Sequence, residues 1–479
     1  MIELARRTSP DLRTAISPEE LAALRTALVG SALTPGEPGY EEACTIWNAM
    51  IDRRPGLVVR AATQGDVVSA IHLARERDLL LSVRGGGHNI AGNALCQDGL
   101  MLDLSAMDAV SVDPEARTAR VGPGATLAAF DAAAQEHGLA TPLGINSTTG
   151  VAGLTLGGGF GWLTRKHGFT VDNLISADVV TAGGERLTAS AQENPDLFWA
   201  IRGGGGNFGV VTSFQFQLHP VGPEVLSGLI VHPYEDAPAV LRAWRDFAAA
   251  ASPEVSAWFV IRKAPPLPFL PEEVHGTNVL VLACFYAGSM EDGEAELRPL
   301  RALGTPIADV VGPHPYTGWQ QAFDPLLTPG LRNYWKSHDF AEVTDDLLDV
   351  LVEYGARLPS PHTEIAFAQL GGAAAQVPAD AMAAGRRDAR YLVNLHTRWE
   401  SPAEDEACIR WARELHRDTA DFSTGAVYVN FMPEDEADTA QVRAAYGDNF
   451  RRLVELKRKY DPTNLFRMNQ NIPPTAPVS

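Results

Sequence analysis

Val83-Arg84-Gly85-Gly86-Gly87-His88-Asn89 follows a short apolar run and delivers one histidine from three consecutive glycines. Glycine lets backbone approach a neighbour closely and adopt conformations closed to other residues. A loop of this kind exposes backbone N–H groups in a concave nest suited to a pyrophosphate, and His88 would set a titratable, nucleophilic ring nitrogen beside the bound group. Taken alone, the stretch is either a cofactor cradle or a surface turn beside a hydrogen-bonded histidine.

The remainder of the chain narrows the choice. Its 479 residues, 45% of them hydrophobic, exceed what one core usually covers and predict at least two domains. A formal net charge of −20 without any clustered Lys and Arg argues against a nucleic-acid partner. Four scattered cysteines, Cys44, Cys96, Cys284 and Cys408, form neither a disulfide framework nor a Cys-x-x-Cys site, so a reducing cytoplasm is expected. Met1 to Arg7 is charged where a secretory signal needs an apolar core, and no run of about 18 apolar residues occurs, so neither export nor a membrane partner is expected. The twelve histidines show no His-Glu-x-x-His and no ligand spacing, and no metal is expected.

Three zones follow one another. From about Ile16 to Leu218 short Val/Ile/Leu runs alternate with helical stretches such as Gly65 to Arg77, and glycine clusters fall at 85–87, 157–159 and 203–206. From about Val221 to Phe422 the pattern predicts strands at Val225 to Val231, Trp258 to Arg262, Asn278 to Tyr286, Glu364 to Leu370 and Tyr391 to Thr397. Helices are expected there near Ala237 to Ala250 and Glu404 to His416, giving a sheet with helices laid on it. The last zone runs Tyr428-Val429-Asn430-Phe431, which as a strand would set Tyr428 and Asn430 on one face, then one helix from Val442 to Lys459, then Asp461-Pro462 as a stop and an unusually specific tail, Phe466 to Pro474.

Gly204-Gly205-Gly206-Asn207-Phe208-Gly209 matches the G-x-G-x-x-G dinucleotide fingerprint, but that motif needs a strand before it and a helix after it. Here Asn194 to Arg202 reads as helix and Val210 to Gln217 as strand, so a Rossmann assignment fails. No Lys follows a glycine, which removes the phosphate loop of ATPases, and no serine sits in G-x-S-x-G.

Three blocks remain: Arg84 to Asn89, Pro142 to Gly161 (PLGINSTTGVAGLTLGGGFG) and Asn194 to Val211 (NPDLFWAIRGGGGNFGVV), together with the tail. These resemble the berberine bridge enzyme-like group of the vanillyl-alcohol oxidase / p-cresol methylhydroxylase flavoproteins, from about Tyr40 to Gly209 and again from Tyr428 to Pro474. The resemblance implies an α+β fold with a two-part FAD-binding domain, residues 1–220 completed by a C-terminal segment, 425–479, around an inserted sheet-and-helix substrate domain, 221–424. It implies that Arg84, Gly85, Gly86, Gly87, His88 and Asn89 wrap the pyrophosphate and that His88 carries the flavin 8α-methyl group on a ring nitrogen. Gly144, Asn146, Thr148, Thr149, Gly150, Gly153, Gly158, Phe160, Gly161, Val210, Val211, Tyr428, Asn430 and Asn469 complete the expected cofactor site.

Many relatives attach the flavin twice through a cysteine at the position of Asn146, which cannot form a thioether, so the resemblance implies a single link and a lower flavin potential than in doubly linked relatives. Thr149 looks like the position controlling oxygen access, and threonine is small enough to leave that route open, favouring an oxidase using O2 over a dehydrogenase with another acceptor. Several relatives place a tyrosine at the position of Phe431, which has no proton to exchange. Candidate catalytic groups are therefore Tyr334 and Lys336, which share one face if extended so that the ammonium could stabilise a phenolate, and Gln369. For Tyr334 and Lys336 a packed aromatic beside an exposed lysine is the structural alternative; His338 and His362 read as structural. The expected substrate is a small-molecule alcohol or amine, resembling the alkaloid-like amines and secondary metabolites of singly linked bacterial relatives more than oligosaccharides. A flavin-bearing protein with impaired catalysis stays open, and a homodimer would be unsurprising without being required.

Overall fold

The computed structural model describes residues 1–436 and 439–476. Near the N-terminus, strands Leu57–Arg60, Leu100–Asp103 and Leu81–Arg84 lie parallel, with Ser31–Leu33 antiparallel at one edge. The helix Gln64–Glu76 connects two of them. Thr63 caps it by accepting from the Asp66 N–H while Asp66 bonds back, and Val67, Ala70, Ile71 and Ala74 recur at helical spacing on its buried face. The strand Leu81–Arg84 ends directly in the triple-glycine loop. Ligands of open α/β sheets bind outside such carboxyl ends.

Beside this layer stands a five-stranded antiparallel sheet in the order Arg186–Ser190, Leu174–Val180, Val210–Gln217, Thr118–Val121, Val110–Asp113. Phe130, Phe214 and Phe216 fill the core beneath it. Helix Pro195–Ile201 precedes the glycine-rich turn at 203–206 and strand Val210–Gln217 follows it, the order that excludes a Rossmann crossover.

The third layer is an eight-stranded sheet built wholly from residues 224–399. Its central strands are Asn278–Tyr286, Val255–Lys263, Glu364–Gln369, Tyr391–Trp399 and, at the edge, Arg332–Phe340. Alternation gives each strand two faces. Phe259, Ile261, Ile365, Phe367, Val393, Leu395 and Tyr334 pack against helices Ala237–Ala250, Asp345–Gly355 and Asp405–Thr419 through Leu241, Trp244, Leu348, Leu351, Trp411 and Leu415. The opposite face looks toward the first two layers.

Past residue 425 the chain departs from its expected course twice. Val429–Phe431 is a turn of 3-10 helix rather than strand. The expected single helix is two, Thr439–Tyr446 and Phe450–Tyr460, broken where Gly447 takes φ +51°, a left-handed conformation that ends an α-helix. The tail then returns to the N-terminal layers: Leu465 and Phe466 join the core of the parallel sheet, and Asn207 donates to Gln470 O at 3.1 Å and accepts from Ile472 N at 3.0 Å.

Fully buried Lys457 anchors this return. Its ammonium pairs with Asp461 at 2.7 Å and donates to Asn207 O at 2.8 Å and Phe466 O at 3.0 Å. Removing one partner of a buried pair strands the other charge. We expect Lys457→Met to lower the unfolding free energy by about 3–5 kcal/mol, read as a reduced urea midpoint.

Candidate active site

The layers enclose one large cavity of about 340 Å³. Gly85, Gly86, Gly87, His88 and Asn89 form one wall; Gly144, Asn146, Thr149, Gly150, Gly153 and Phe160 a second; Val210, Val211, Asn207 and Gly206 a third; Tyr428, Asn430, Phe431, Asn469 and Gln470 close the end. The first two walls meet backbone to backbone. A Cβ on Gly86 would lie 2.4 Å from Gly150 N, and one on Gly150 would lie 2.5 Å from Gly86 N. Glycine is required at both, because any side chain would wedge the loops apart.

That contact holds His88 between two hydroxyls. Its Nε2 lies 3.0 Å from Thr148 Oγ1 and its Nδ1 3.4 Å from Thr149 Oγ1, with the ring stacked on Trp47 at 5.2 Å. Burial lowers the His88 pKa to about 4, so the imidazole is neutral at pH 7 with a ring lone pair available. Thr148 does not itself line the cavity and acts on it through this bond. Asn146 Oδ1 accepts from Thr148 N at 3.1 Å and Thr148 Oγ1 at 2.7 Å.

The remaining surface offers the open space and the polar atoms that a bound FAD would use. A Cβ on Gly153 would meet nothing within 4 Å, leaving an open cradle there. Buried Asn93 Nδ2, Tyr446 Oη, Asn469 Oδ1 and Gln470 Oε1, all from cavity-lining residues, have no partner in the protein, and such atoms call for a bound polar group. Tyr428 Oη accepts from Gly159 N at 3.1 Å and from Asn430 Nδ2 at 2.9 Å, so the two residues form one polar unit rather than one strand face. Three expected cofactor residues act differently. The Arg84 side chain turns away to the Ala43 and Glu42 carbonyls, Gly161 is packed where a Cβ would collide with Leu143 O, and Gly158, at φ +116°, shapes the chain without lining the cavity.

The expected catalytic groups are not brought to the cavity. Arg332–Phe340 is a strand, so Tyr334 and Lys336 do share a face, but it is the helix-covered face, turned away from the cavity, and both side chains are buried there. Tyr334 Oη donates to Asp435 at 2.8 Å, and Lys336 pairs with Glu436. Burial raises the Tyr334 pKa, the opposite of what a phenolate needs. Gln369 is spent on backbone, accepting from Ala257 N at 3.0 Å and donating to Ala248 O at 2.6 Å. His338 stacks on His416 at 3.9 Å, and His362 lies on the surface beside Glu400. The cavity instead receives their alternation neighbours: Trp335 from one strand, Glu364, Ala366 and Ala368 from the next, Leu392, Asn394 and His396 from the third, with Trp47 and Trp258. Period-two reading of those strands separates the two sets, whereas no local signal marked Trp47. Among the described residues no cluster suits a metal ion and no helix is long and apolar enough to cross a membrane.

Gly150→Ala is expected to reduce the FAD retained per purified chain on the order of tenfold, equivalent to about 1.4 kcal/mol; flavin absorbance per chain measures it. Tyr334→Phe, facing away, should leave the rate of flavin reduction unchanged in stopped-flow measurements.

Comparison with known proteins converges on the same group. Residues 55–190 match the family described as FAD binding domain, and residues 427–473 the one described as Berberine and berberine like. An FAD-linked oxidoreductase of Bacillus subtilis is 32% identical over 460 residues, covering 94% of this chain and 98% of its own. The (R)-6-hydroxynicotine oxidase of Paenarthrobacter nicotinovorans is 31% identical over 473 residues, covering 94% of this chain and 97% of its own. The crystal structure of 6-hydroxy-D-nicotine oxidase from Arthrobacter nicotinovorans superposes with a TM-score of 0.83 at 27% identity, over 93% of this chain and 98% of that one. With the glycine walls, the orphaned polar atoms and the returning tail, these likenesses show that the chain belongs to the berberine bridge enzyme-like FAD-linked oxidoreductases of the vanillyl-alcohol oxidase / p-cresol methylhydroxylase superfamily.

Proposed function

We propose that this oxidoreductase is an oxidase that carries FAD on one covalent bond to His88, takes a hydride from a small-molecule alcohol or amine, and passes the electrons to O2 with release of H2O2. The placement of His88 carries the reading. A neutral imidazole, steered by Thr148 and Thr149 and backed by Trp47, faces the large cavity, which is what a ring nitrogen needs in order to act as a nucleophile toward a group bound there.

Other residues support the finer points. Asn146, with its amide oxygen engaged by Thr148, offers no thiolate for a second link. Thr149 is a small side chain on the cavity wall, which favours oxygen access. The named activity of the Paenarthrobacter relative, oxidation of 6-hydroxynicotine, supports a small-molecule substrate. The four cysteines are buried and free, which supports a reducing compartment such as the cytoplasm.

Bound FAD supplies the hydride acceptor. The chain's own part is to position and to exclude water. Backbone N–H groups of residues 85–89 would hold the pyrophosphate, and the polar unit of Tyr428 and Asn430 would fix the ring system from the far side. Trp335, Phe431 and Phe160 wall the space where the donor carbon would sit. Trp335 packs edge-on to Phe431 at 5.3 Å and Phe160 at 6.0 Å from it, so the wall is a continuous aromatic layer.

Flavin fluorescence should stay on the protein band after denaturing electrophoresis and be lost from it in His88→Ala. Flavin that leaves the band of the parent protein overturns the covalent bond. Asn146→Cys should gain a second attachment, seen as flavin kept on the band when combined with His88→Ala. Reduced protein mixed with air-saturated buffer should reoxidise within seconds; reoxidation only by an added quinone would reassign it as a dehydrogenase.

A further inference from the structure

The cavity holds an acid–base pair that nothing above uses. Glu364 and His396 sit directly opposite on adjacent antiparallel strands, both buried and both lining the cavity, with Glu364 Oε1 3.0 Å from His396 Nδ1. On the other side of Glu364, register partner Arg262 reaches the second carboxylate oxygen at 2.9 Å. Burial alone would raise the Glu364 pKa, but Arg262, His396 and Arg398 hold it at about 2, so the group is a carboxylate.

A carboxylate only accepts hydrogen bonds, so Nδ1 must carry the proton in this contact. Burial lowers the His396 pKa, which favours the neutral ring, and a neutral ring protonated on Nδ1 has a bare Nε2. That nitrogen is buried without a partner in the protein. The ring is held edge-on to Trp335 at 4.2 Å, and Trp47 lies 6.4 Å away, separating it from His88.

Charge selects what this nitrogen faces. The charged groups around His396 are Glu364 on the neighbouring strand, Arg262 beyond it and Arg398 on its own strand, whose guanidinium donates to Leu326 O and to Thr328 O at 2.8 Å and lies 5.2 Å from the Trp47 ring. One carboxylate stands against two guanidiniums, leaving no unpaired anion for a cationic amine. An apolar recess of about 60 Å³ shares Glu364, Ala366 and Trp258 with the cavity and is walled by Val260, Leu267 and Phe269.

We propose that His396, held in the Nδ1–H tautomer by Glu364, takes through Nε2 the hydroxyl proton of a neutral, aryl- or alkyl-substituted alcohol as hydride leaves its carbinol carbon. The step balances. The C–H bond breaks with both electrons going to FAD, the O–H pair becomes the second bond of the carbonyl, and the proton rests on an imidazolium paired with Glu364 until solvent removes it. This rests on the FAD oxidase reading, whose own failure shows first, as a colourless purified protein.

Three measurements on the FAD-loaded protein test it. In ¹⁵N-histidine spectra at pH 7, the signal lost in His396→Gln should be a neutral ring protonated at Nδ1 and bare at Nε2; an Nε2–H tautomer or an imidazolium overturns the assignment. Under anaerobic mixing with benzyl and cinnamyl alcohol, His396→Gln should slow flavin bleaching on the order of 10²–10⁴-fold at unchanged FAD content. Glu364→Gln should keep FAD and move the acid limb of kcat/KM to lower pH, because the imidazolium loses its counter-ion, a shift that mere structural support would not produce. Equal bleaching rates in parent and His396→Gln protein overturn the role of the base. Bleaching by benzylamine and 6-hydroxynicotine but by neither alcohol overturns the substrate class, as does bleaching by none of the four.

Discussion

The approach of Gly86 to Gly150 is the constraint on which the site depends. Two loops from distant parts of the N-terminal region touch backbone to backbone, at a spacing that a single methyl group would break. One loop carries His88 and the other carries the two threonines that flank it, so the contact sets the ring's position as well as the shape of the cradle. The second loop is pinned in turn, with Leu127 N donating to Thr149 O at 2.9 Å and Val151 N donating to Ala125 O at 2.9 Å. Rigid backbone on both sides is what allows a group to be held without a large cost in ordering the protein when it binds.

The far side of the cavity rests on strand alternation. A sheet covered by helices on one face has its other face free to meet another layer. In the eight-stranded sheet the helix-covered face is mainly apolar, whereas the free face mixes Trp258, Trp335, Ala366 and Leu392 with Glu364, Asn394 and His396. The Glu364 carboxylate survives there because Arg262 and His396 offset its desolvation, whereas Asn394 Oδ1 and His396 Nε2 have no partner in the protein. The same alternation explains why Tyr334 and Lys336 answer to Asp435 and Glu436 instead. Their pairs tie the sheet edge to the segment that leads into the C-terminal helices.

The C-terminal segment then closes the structure. Lys457 gathers two backbone carbonyls from different segments around one buried charge, and Asp461 accepts from Leu465 N and Phe466 N besides neutralising it. This cluster orients the tail so that Asn469 and Gln470 reach the cavity. A tail held this way adds polar groups to the cavity that the N-terminal layers lack.

Much of this was legible in the residues in order. The triple glycine before His88, the helix-then-strand order around Gly204 to Gly209, and the strands near 225–231, 258–262, 278–286, 364–370 and 391–397 follow from local backbone preference and hydrophobic period, which act over a few residues. That Asn146 can form no thioether and that Phe431 carries no phenol is decided by side-chain identity alone. What only the tertiary structure decided was which face of a strand meets the cavity. Period two defines two faces but is silent on which of them a helix covers, so Tyr334, Lys336 and Gln369 were equally plausible candidates until Asp345–Gly355 and Asp405–Thr419 packed against their side of the sheet. The Glu364–His396 pair, 32 residues apart in sequence, and the stacking of Trp47 on His88 depend in the same way on contacts between segments, because a hydrogen bond or ring contact across strands is set by register and layer packing rather than by neighbours along the chain.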